Sequence, residues 1–454
     1  MKSEVGVKFC SEVTTMTGKL FNKRVMMLIA CCWCLVVSEA LFAASPPREV
    51  LANVEVTNPL AMLRREESVI IPFGQMGLAQ SDPRAKHLLA LENGKPVPQQ
   101  MIDSDGDGKP DALLIMVTYT AHQKRYFKIF NDPQSSPPKL RKRTQAEISI
   151  KKGGKWVDHH YDGGHFVNVK YVKLPPQYTD HSNFIRYEGP GIESDKVAYR
   201  VYLDQRNGFD IFGKKIHGMV LQNIGHDDAE SYENDAPWGL DIFKVGDSLG
   251  TGGFGYWNGK QVEPVAVTAS RDATIVANGS LYSAFNIGYG QWQINHGVYN
   301  MSAMISMQAA SRLAHVQIRM ESAGGNPVMP SMTIGVVHHP DTTLMQSESD
   351  SKLEWAYAAS WGKQSRIGPD EYLGVGVIFP RAKRVKQTED ANSYVSVMEA
   401  KDGTLDYYFF AAWDKEPGGI KTQEEFKAFL DNQVQRLSAP LQVMSARPHN
   451  VKIH

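Results

Sequence analysis

Val197-Ala198-Tyr199-Arg200-Val201-Tyr202-Leu203 reads as a β-strand. Its β-branched and aromatic residues alternate along the run, which suits a pleated, half-buried surface. Working outward, Val69-Ile70-Ile71 and Ala112-Leu113-Leu114-Ile115-Met116-Val117 have the same character. Clusters of Gly, Pro, Asn and Asp separate these runs at short intervals. Many short strands with turn residues between them argue for a sandwich or barrel, not for alternating βαβ units. The chain is therefore expected to be all-β. It carries no tandem repeat and no long low-complexity segment.

One helix interrupts this pattern near the C-terminus. Thr422-Gln423-Glu424-Glu425 is a capping box, in which the threonine accepts from first-turn amides and Glu425 reaches back. Phe426, Phe429, Leu430, Val434 and Leu437 recur at helical spacing, and Pro440 stops the run. That stripe is expected to be a core face. Residues 132–142 (DPQSSPPKLRK) read as a linker rich in Pro and Ser. The expected organisation is a small β-sandwich-like domain over 50–130, a linker over 131–143, and a large β-domain over 144–454.

All four cysteines lie before residue 35. Cys31, Cys32 and Cys34 sit in an apolar run from Val25 to Val37, after Lys23-Arg24 and before the small residues Ala40, Ala43, Ala44 and Ser45. A basic stub, an apolar core and small residues make the layout of a secretory signal peptide, here over 1–44. Two other readings remain. One is an uncleaved anchor, although Glu39 interrupts the roughly 20 apolar residues a span needs. The other is a lipoprotein, because Leu28-Ile29-Ala30-Cys31 resembles a lipobox. The chain is expected to be exported, periplasmic or secreted, with no membrane span after the leader. After Cys34 there is no cysteine, so the part beyond the leader is expected to use neither disulfides nor thiol chemistry, and its length supplies cores that need no staples. Lys plus Arg and Asp plus Glu both number 49, for a formal net charge of zero. That balance gives no electrostatic capture of nucleic acid.

The sharpest local motif is Asp103-Ser-Asp105-Gly-Asp107-Gly108-Lys-Pro-Asp111. Carboxylates at alternate positions followed by glycine match the start of a calcium loop, with Asp103, Asp105, Asp107 and Asp111 as ligands. Position twelve is Leu114, so the bidentate glutamate of an EF-hand is absent. A structural Ca²⁺ and a metal-free β-hairpin are both open, and no organic cofactor is implied. Residues 226–241 (HDDAESYENDAPWGLD) gather histidine, carboxylates, Tyr232 and Trp238 at a density no core strand carries. Long polar loops on rigid β-scaffolds often bear function. The glycine-rich run that follows lacks the helix and lysine of a phosphate loop. Further polar clusters are His159-His160-Tyr161-Asp162-Gly-Gly-His165, His338-His339-Pro-Asp341 and Gln291-Trp292-Gln293-Ile294-Asn295-His296. Alternation puts Gln291, Gln293 and Asn295 on one strand face, where amides suit sugar hydroxyls or simply solvent. There is no H-E-x-x-H motif and no G-x-S-x-G elbow.

Several segments together resemble an exported bacterial family catalogued as a domain of unknown function. They are Gly189-Pro-Gly-Ile-Glu193-Ser-Asp195-Lys196-Val-Ala-Tyr199-Arg200-Val-Tyr202-Leu-Asp204, Asp210-Ile-Phe-Gly-Lys and Trp238-Gly-Leu-Asp-Ile-Phe-Lys-Val-Gly-Asp-Ser-Leu-Gly. Val56-Thr-Asn-Pro59 and the Asp103–Asp111 loop fit as well, so the resemblance runs from about 50 to 440. It implies a galactose-mutarotase-like β-supersandwich. It also implies a setting among genes that degrade uronate-containing polysaccharides such as pectin, alginate or ulvan. With a uronate glycan as partner, β-elimination is the expected chemistry, by a lyase or an oligosaccharide dehydratase. Arg200 or Arg186 would neutralise the uronate carboxylate, His226 would be the base, and Tyr232 or Tyr256 the acid. Trp238, Trp257, Gln291, Trp292, Gln293 and His296 would bind sugar. Two other functions stay open: a non-catalytic glycan-binding module and a mutarotase-like sugar isomerase.

Overall fold

The computed structural model describes residues 48–447, except 227–230, 296, 326–328 and 367–369. The leader over 1–44, with Cys31, and His296 lie outside the described residues. Among the described residues the chain is all-β with one α-helix.

The small sandwich sets a five-stranded sheet against a three-stranded one. The first runs in the order Gln442–Ala446, Glu49–Thr57, Lys124–Asn131, Leu88–Glu92, Lys95–Pro96; the second runs Arg64–Pro72, Ala112–Tyr119, Gln99–Ile102. Val54, Val56, Ile71, Leu113, Ile115, Phe127 and Ile129 fill its core. The strand Ala112–Tyr119 is apolar on both faces for a reason. Leu113, Ile115 and Val117 enter that core, while Ala112, Leu114 and Met116 pack against Leu281, Tyr282 and Ala284 of the large body. The last strand, Gln442–Ala446, pairs with Glu49–Thr57. The small sandwich is therefore completed by a strand from near the C-terminus, within 144–454.

The large body is built on a nine-stranded antiparallel sheet whose centre is the meander Ser270–Asn278, Tyr282–Ile294, Gly297–Gln308, Leu313–Ser322. Two five-stranded sheets share one apolar core with it, where Tyr199, Phe209, Phe254, Phe285, Tyr289 and Phe409 meet. Helix α1, Gln423–Ser438, closes the far face of the large sheet through Phe426, Leu430 and Val434. Thr422 Oγ1 accepts from Glu425 N at 3.2 Å, and Glu425 accepts from Lys421 N at 2.7 Å. The helix sits so close that a Cβ on Gly374 would lie 2.3 Å from the Phe426 ring. A side chain there would push the helix off.

The sheet that positions the site has the order Gly239–Asp241, Phe209–Lys214, Ala198–Val201, Gly191–Ser194, Thr144–Glu147. Alternation sends Tyr199 into the main core and Arg200 to the opposite face. That opposite face is buried yet charged.

Candidate functional site

Three buried ion pairs lie along this face of the sheet: Glu147–Arg186, Glu193–Lys214, and Arg200 with Asp210 and Asp241. The middle pair anchors the covering loop. Glu193 holds Lys214 Nζ at 2.6 Å and accepts from the backbone of Val220 (2.9 Å) and Leu221 (3.0 Å). Burial raises the Glu193 pKa, outweighing Lys214. The first pair holds the same loop farther on, because Arg186 Nη1 also donates to the Ile224 carbonyl at 3.2 Å. From there the chain leads to Tyr232, whose ring meets Phe212 edge-on at 5.5 Å.

Arg200 stands opposite Asp210 across the strand pair. Its Nη2 reaches Asp210 Oδ2 and Asp241 Oδ2, each at 2.7 Å, while Nη1 donates to the Tyr232 hydroxyl at 3.1 Å. Phe212, Tyr202 and Tyr232 box the guanidinium at 5.0–5.3 Å. Tyr202 donates its own hydroxyl proton to Asp210. Burial and the Asp210 charge push the Asp241 carboxyl up to about 7, against Arg200 and Arg366. The 2.7 Å contact with Arg200 and the 3.5 Å contact with Arg366 argue for an ionised Asp241, but the loss of water outweighs them. Burial likewise raises the Tyr232 phenol although Arg200 opposes it, so the phenol is neutral at physiological pH.

Above this arginine opens a cleft of about 900 Å³. Its walls come from His160 on the hairpin strand His160–Asn168, from the segment 181–188, from the strand ends at Tyr202 and Asp241, and from the 339–341 and 363–366 loops. The last loop is tied in by Phe243–Ser365 bridging and by Arg366 N donating to the Ile242 carbonyl at 2.8 Å. Four non-glycine residues of the 181–188 wall have left-handed backbone: His181 (φ 53°), Asn183 (59°), Tyr187 (42°) and Glu188 (68°). Such strain costs of order 1–3 kcal/mol per residue and gathers where a site needs it.

Most charges in the cleft are spoken for. Arg206 binds Asp180, Asp204 and Glu188 at 2.6–2.8 Å, and His181 Nδ1 lies 2.6 Å from Asp180. Burial raises the Asp180 pKa, and its hydrogen bond to Glu188 adds to that. Burial also acts to raise Glu188, but Arg200 and Arg206 prevail and its pKa is lowered. Arg366 lies 3.3 Å from Glu233 and 3.5 Å from Asp241, and Lys363 lies 3.6 Å from Asp370. Lys244 is the one lysine or arginine of the cleft with no carboxylate partner among the described residues. Beside it, His339 Nε2 faces the Lys244 carbonyl at 3.1 Å. A carbonyl only accepts, so Nε2 carries the proton and Nδ1 the lone pair. Burial lowers the His339 pKa, outweighing its bonds to the Lys244 carbonyl and to Gln364, so the imidazole is neutral at pH 7.

Comparison with known proteins adds a family. Residues 56–443 match the family described as a domain of unknown function, DUF4861. The chain belongs to DUF4861. A search of curated proteins returns no match. Among solved structures, a glycosyl hydrolase family 38 protein from Enterococcus faecalis aligns with TM-score 0.41 and 10% identity over 95% of this chain and 51% of its own. An α-mannosidase from Enterococcus faecalis V583 aligns with TM-score 0.38 and 9% identity over 94% and 49%. This DUF4861 chain thus spans about half the length of those two proteins.

Of the residues singled out in the sequence, Arg200 and Tyr232 line the cleft. Arg200 is tied to Asp210, Asp241 and the hydroxyls of Tyr202 and Tyr232, so its charge is matched within the protein. Arg186 is fully buried against Glu147 and lies outside the cleft lining. His226 is exposed and also outside the lining; its Nε2 sits 2.6 Å from Arg186 Nη1 and 2.9 Å from the Gln222 carbonyl. Tyr256 belongs to the main core on Thr251–Trp257. Trp292 is 1% exposed and packs in the same core, so it is no sugar platform. Gln291 and Gln293 are exposed on that strand away from the cleft. Trp238 packs on Phe212 at 6.2 Å from outside the cleft, and Trp257 lies under Lys386 at 4.8 Å. In the aspartate loop, Asp103, Asp105 and Asp107 bring ligand atoms within 4.8 Å of one another. Asp111 instead turns to Ser104, accepting from its N and Oγ at 2.9 and 2.6 Å, and leaves the cluster.

The sequence reading missed Asp210, Glu188, Arg206, Lys244 and Arg366 as site residues. It noticed the clusters holding His160, His339 and Asp341 without joining them. One signal was available: Arg200 and Tyr202 fall on the same face of one strand, beside a strand that offers Asp210.

Proposed function

We propose that the cleft binds a uronate-containing poly- or oligosaccharide and carries out β-elimination. The carrying observation is Lys244, without a carboxylate partner among the described residues, beside a neutral His339 in a cleft whose other lysines and arginines are matched by carboxylates. Lys244 pairs with the uronate carboxylate and so makes the C5 proton more acidic. His339 takes that proton through Nδ1. The C5–H electrons form the C4–C5 double bond as the C4–O bond breaks, and Tyr232 gives its proton to the departing oxygen. Arg200 Nη1 then faces the phenolate it leaves. Expulsion of a sugar makes a lyase, and expulsion of water makes a dehydratase.

Lys244→Gln tests this reading. A charge-assisted contact is worth about 1.5–3 kcal/mol, so kcat/KM on a free uronate is expected to fall roughly 10–100-fold. The methyl ester of the same sugar lacks the charge and is expected to lose little. Full activity of Lys244→Gln on the free acid would sink the assignment.

Two further expectations complete the proposal. The protein is exported, by the leader over 1–44. Asp103, Asp105 and Asp107 hold a structural Ca²⁺. Burial and the neighbouring Asp105 raise the Asp103 carboxyl even against the amides of Gly108 and Gly106, and a cation would relieve that repulsion.

A further inference from the structure

The outward face of a sandwich sheet is usually polar, because water covers it. The five-stranded sheet of the small sandwich breaks that rule on one patch. Tyr126 is 62% exposed and Met444 59%, and Phe130 lies under the Arg48 guanidinium at 3.8 Å. These residues share a face by register. Glu55 stands between Met444 and Tyr126 across neighbouring strands, and Asn53 between Ala446 and Lys128. Together they line a hollow of about 850 Å³, close in size to the cleft, and no residue lines both.

The chemistry of this hollow is mixed rather than greasy. Glu55 is neutralised by Lys124 at 2.7 Å. Lys128 has no ion-pair or hydrogen-bond partner among the described residues, and it lies two residues from Tyr126 on the same strand face. A tyrosine ring, the side-chain amides of Asn53 and Asn93, and an unpaired ammonium therefore stand side by side on a rigid sheet. A pyranose has a matching set: an apolar ring face, hydroxyls at its edge and, in a uronate, a carboxylate.

We infer that this face is a second glycan-binding site, which holds a uronate-containing polysaccharide chain while the cleft acts elsewhere on the molecule. Tyr126 stacks on a sugar ring, Asn53 and Asn93 bond its hydroxyls, and Lys128 pairs with its carboxylate. The choice of a uronate chain rests on the proposed function; the site itself does not.

The test is retention of the full chain on gels containing pectin, alginate or a neutral glucan, beside turnover of a short uronate oligosaccharide. Tyr126→Ala and Lys128→Gln alter exposed side chains, and an unchanged Tm checks that each variant folds. On the uronate polymer, Tyr126→Ala is expected to weaken retention by roughly tenfold, the equivalent of about 1.4 kcal/mol. Lys128→Gln is expected to narrow the difference between uronate polymer and neutral glucan. Turnover of the short oligosaccharide stays at the wild-type level in both. Wild-type retention by Tyr126→Ala, or no retention of the wild type on any gel, overturns the site whatever the cleft does. Retention that depends on Tyr126, with no turnover of any substrate, upholds the site and removes the elimination reading instead.

Discussion

Replacing Arg200 with methionine keeps an unbranched apolar stem and removes the charge that three acidic groups share. Asp210 and Asp241 are then left buried without their nearest cation, Asp241 keeping only Arg366 at 3.5 Å, and Glu188 loses a contact at 3.6 Å. Breaking one side of a buried pair costs about 3–5 kcal/mol. Unfolding entropy near 2.1 cal/mol/K per residue gives roughly 0.8 kcal/mol/K over about 400 residues, so Tm should fall by about 4–6 °C. The deficit also depends on pH. Asp241 already stands at about 7, and losing Arg200 moves it higher. A carboxyl whose folded pKa exceeds its unfolded value binds more protons when folded, so stability falls as pH rises between those two values. At pH 5 the Asp241 carboxyl is protonated, one buried charge fewer is left without its cation, and the fall in Tm is expected to be smaller than at pH 8. Scanning calorimetry of wild type and Arg200→Met at pH 5 and pH 8 reads both numbers. An unchanged Tm at pH 8, or equal deficits at the two pH values, would refute the picture of a cation holding a buried acidic pair.

Other outcomes follow from the same structure. His339 must be neutral to act, and burial lowers its pKa, so the acid limb of kcat/KM is expected below the ordinary histidine value of about 6.5; a limb above 7 would remove it as the base. Phe426→Ala empties the contact between helix α1 and Gly374, and chemical denaturation is expected to show a loss of about 3–5 kcal/mol. Calcium is expected to raise Tm in wild type and to leave Asp103→Asn unmoved; an equal response in both would place the ion elsewhere.

How much of this was legible in the sequence depends on how local the cause was. The strand Ala198–Val201 declared itself because its alternation matches the pleat, whatever it pairs with. Helix α1 did so because its cap lies within four residues and its stripe within four turns. The pairing of Gln442–Ala446 with Glu49–Thr57 left no such mark, since a five-residue strand carries little pattern and its partner lies at the far end of the chain. The site was harder for the same reason. Arg200 meets Asp210 ten residues on and Asp241 forty-one residues on. Sequence shows that each is charged, but only the register makes them partners. Trp292 teaches the converse lesson. Its alternation with Gln291 and Gln293 was visible, but which face turns inward is fixed by the sheets packed against it. Lys244 was invisible as a candidate because what marks it is the pairing of every other arginine and lysine in the cleft.

The central claim is elimination in the cleft, and ultraviolet absorbance of a 4,5-unsaturated uronate tests it most directly. The purified chain would be incubated with pectin, alginate, glucuronan and ulvan oligosaccharides, alongside Tyr232→Phe. The account expects absorbance to rise on at least one of these with the wild type, and the rise to be largely lost in Tyr232→Phe. A flat trace on all four, or equal rates in the two proteins, would contradict it.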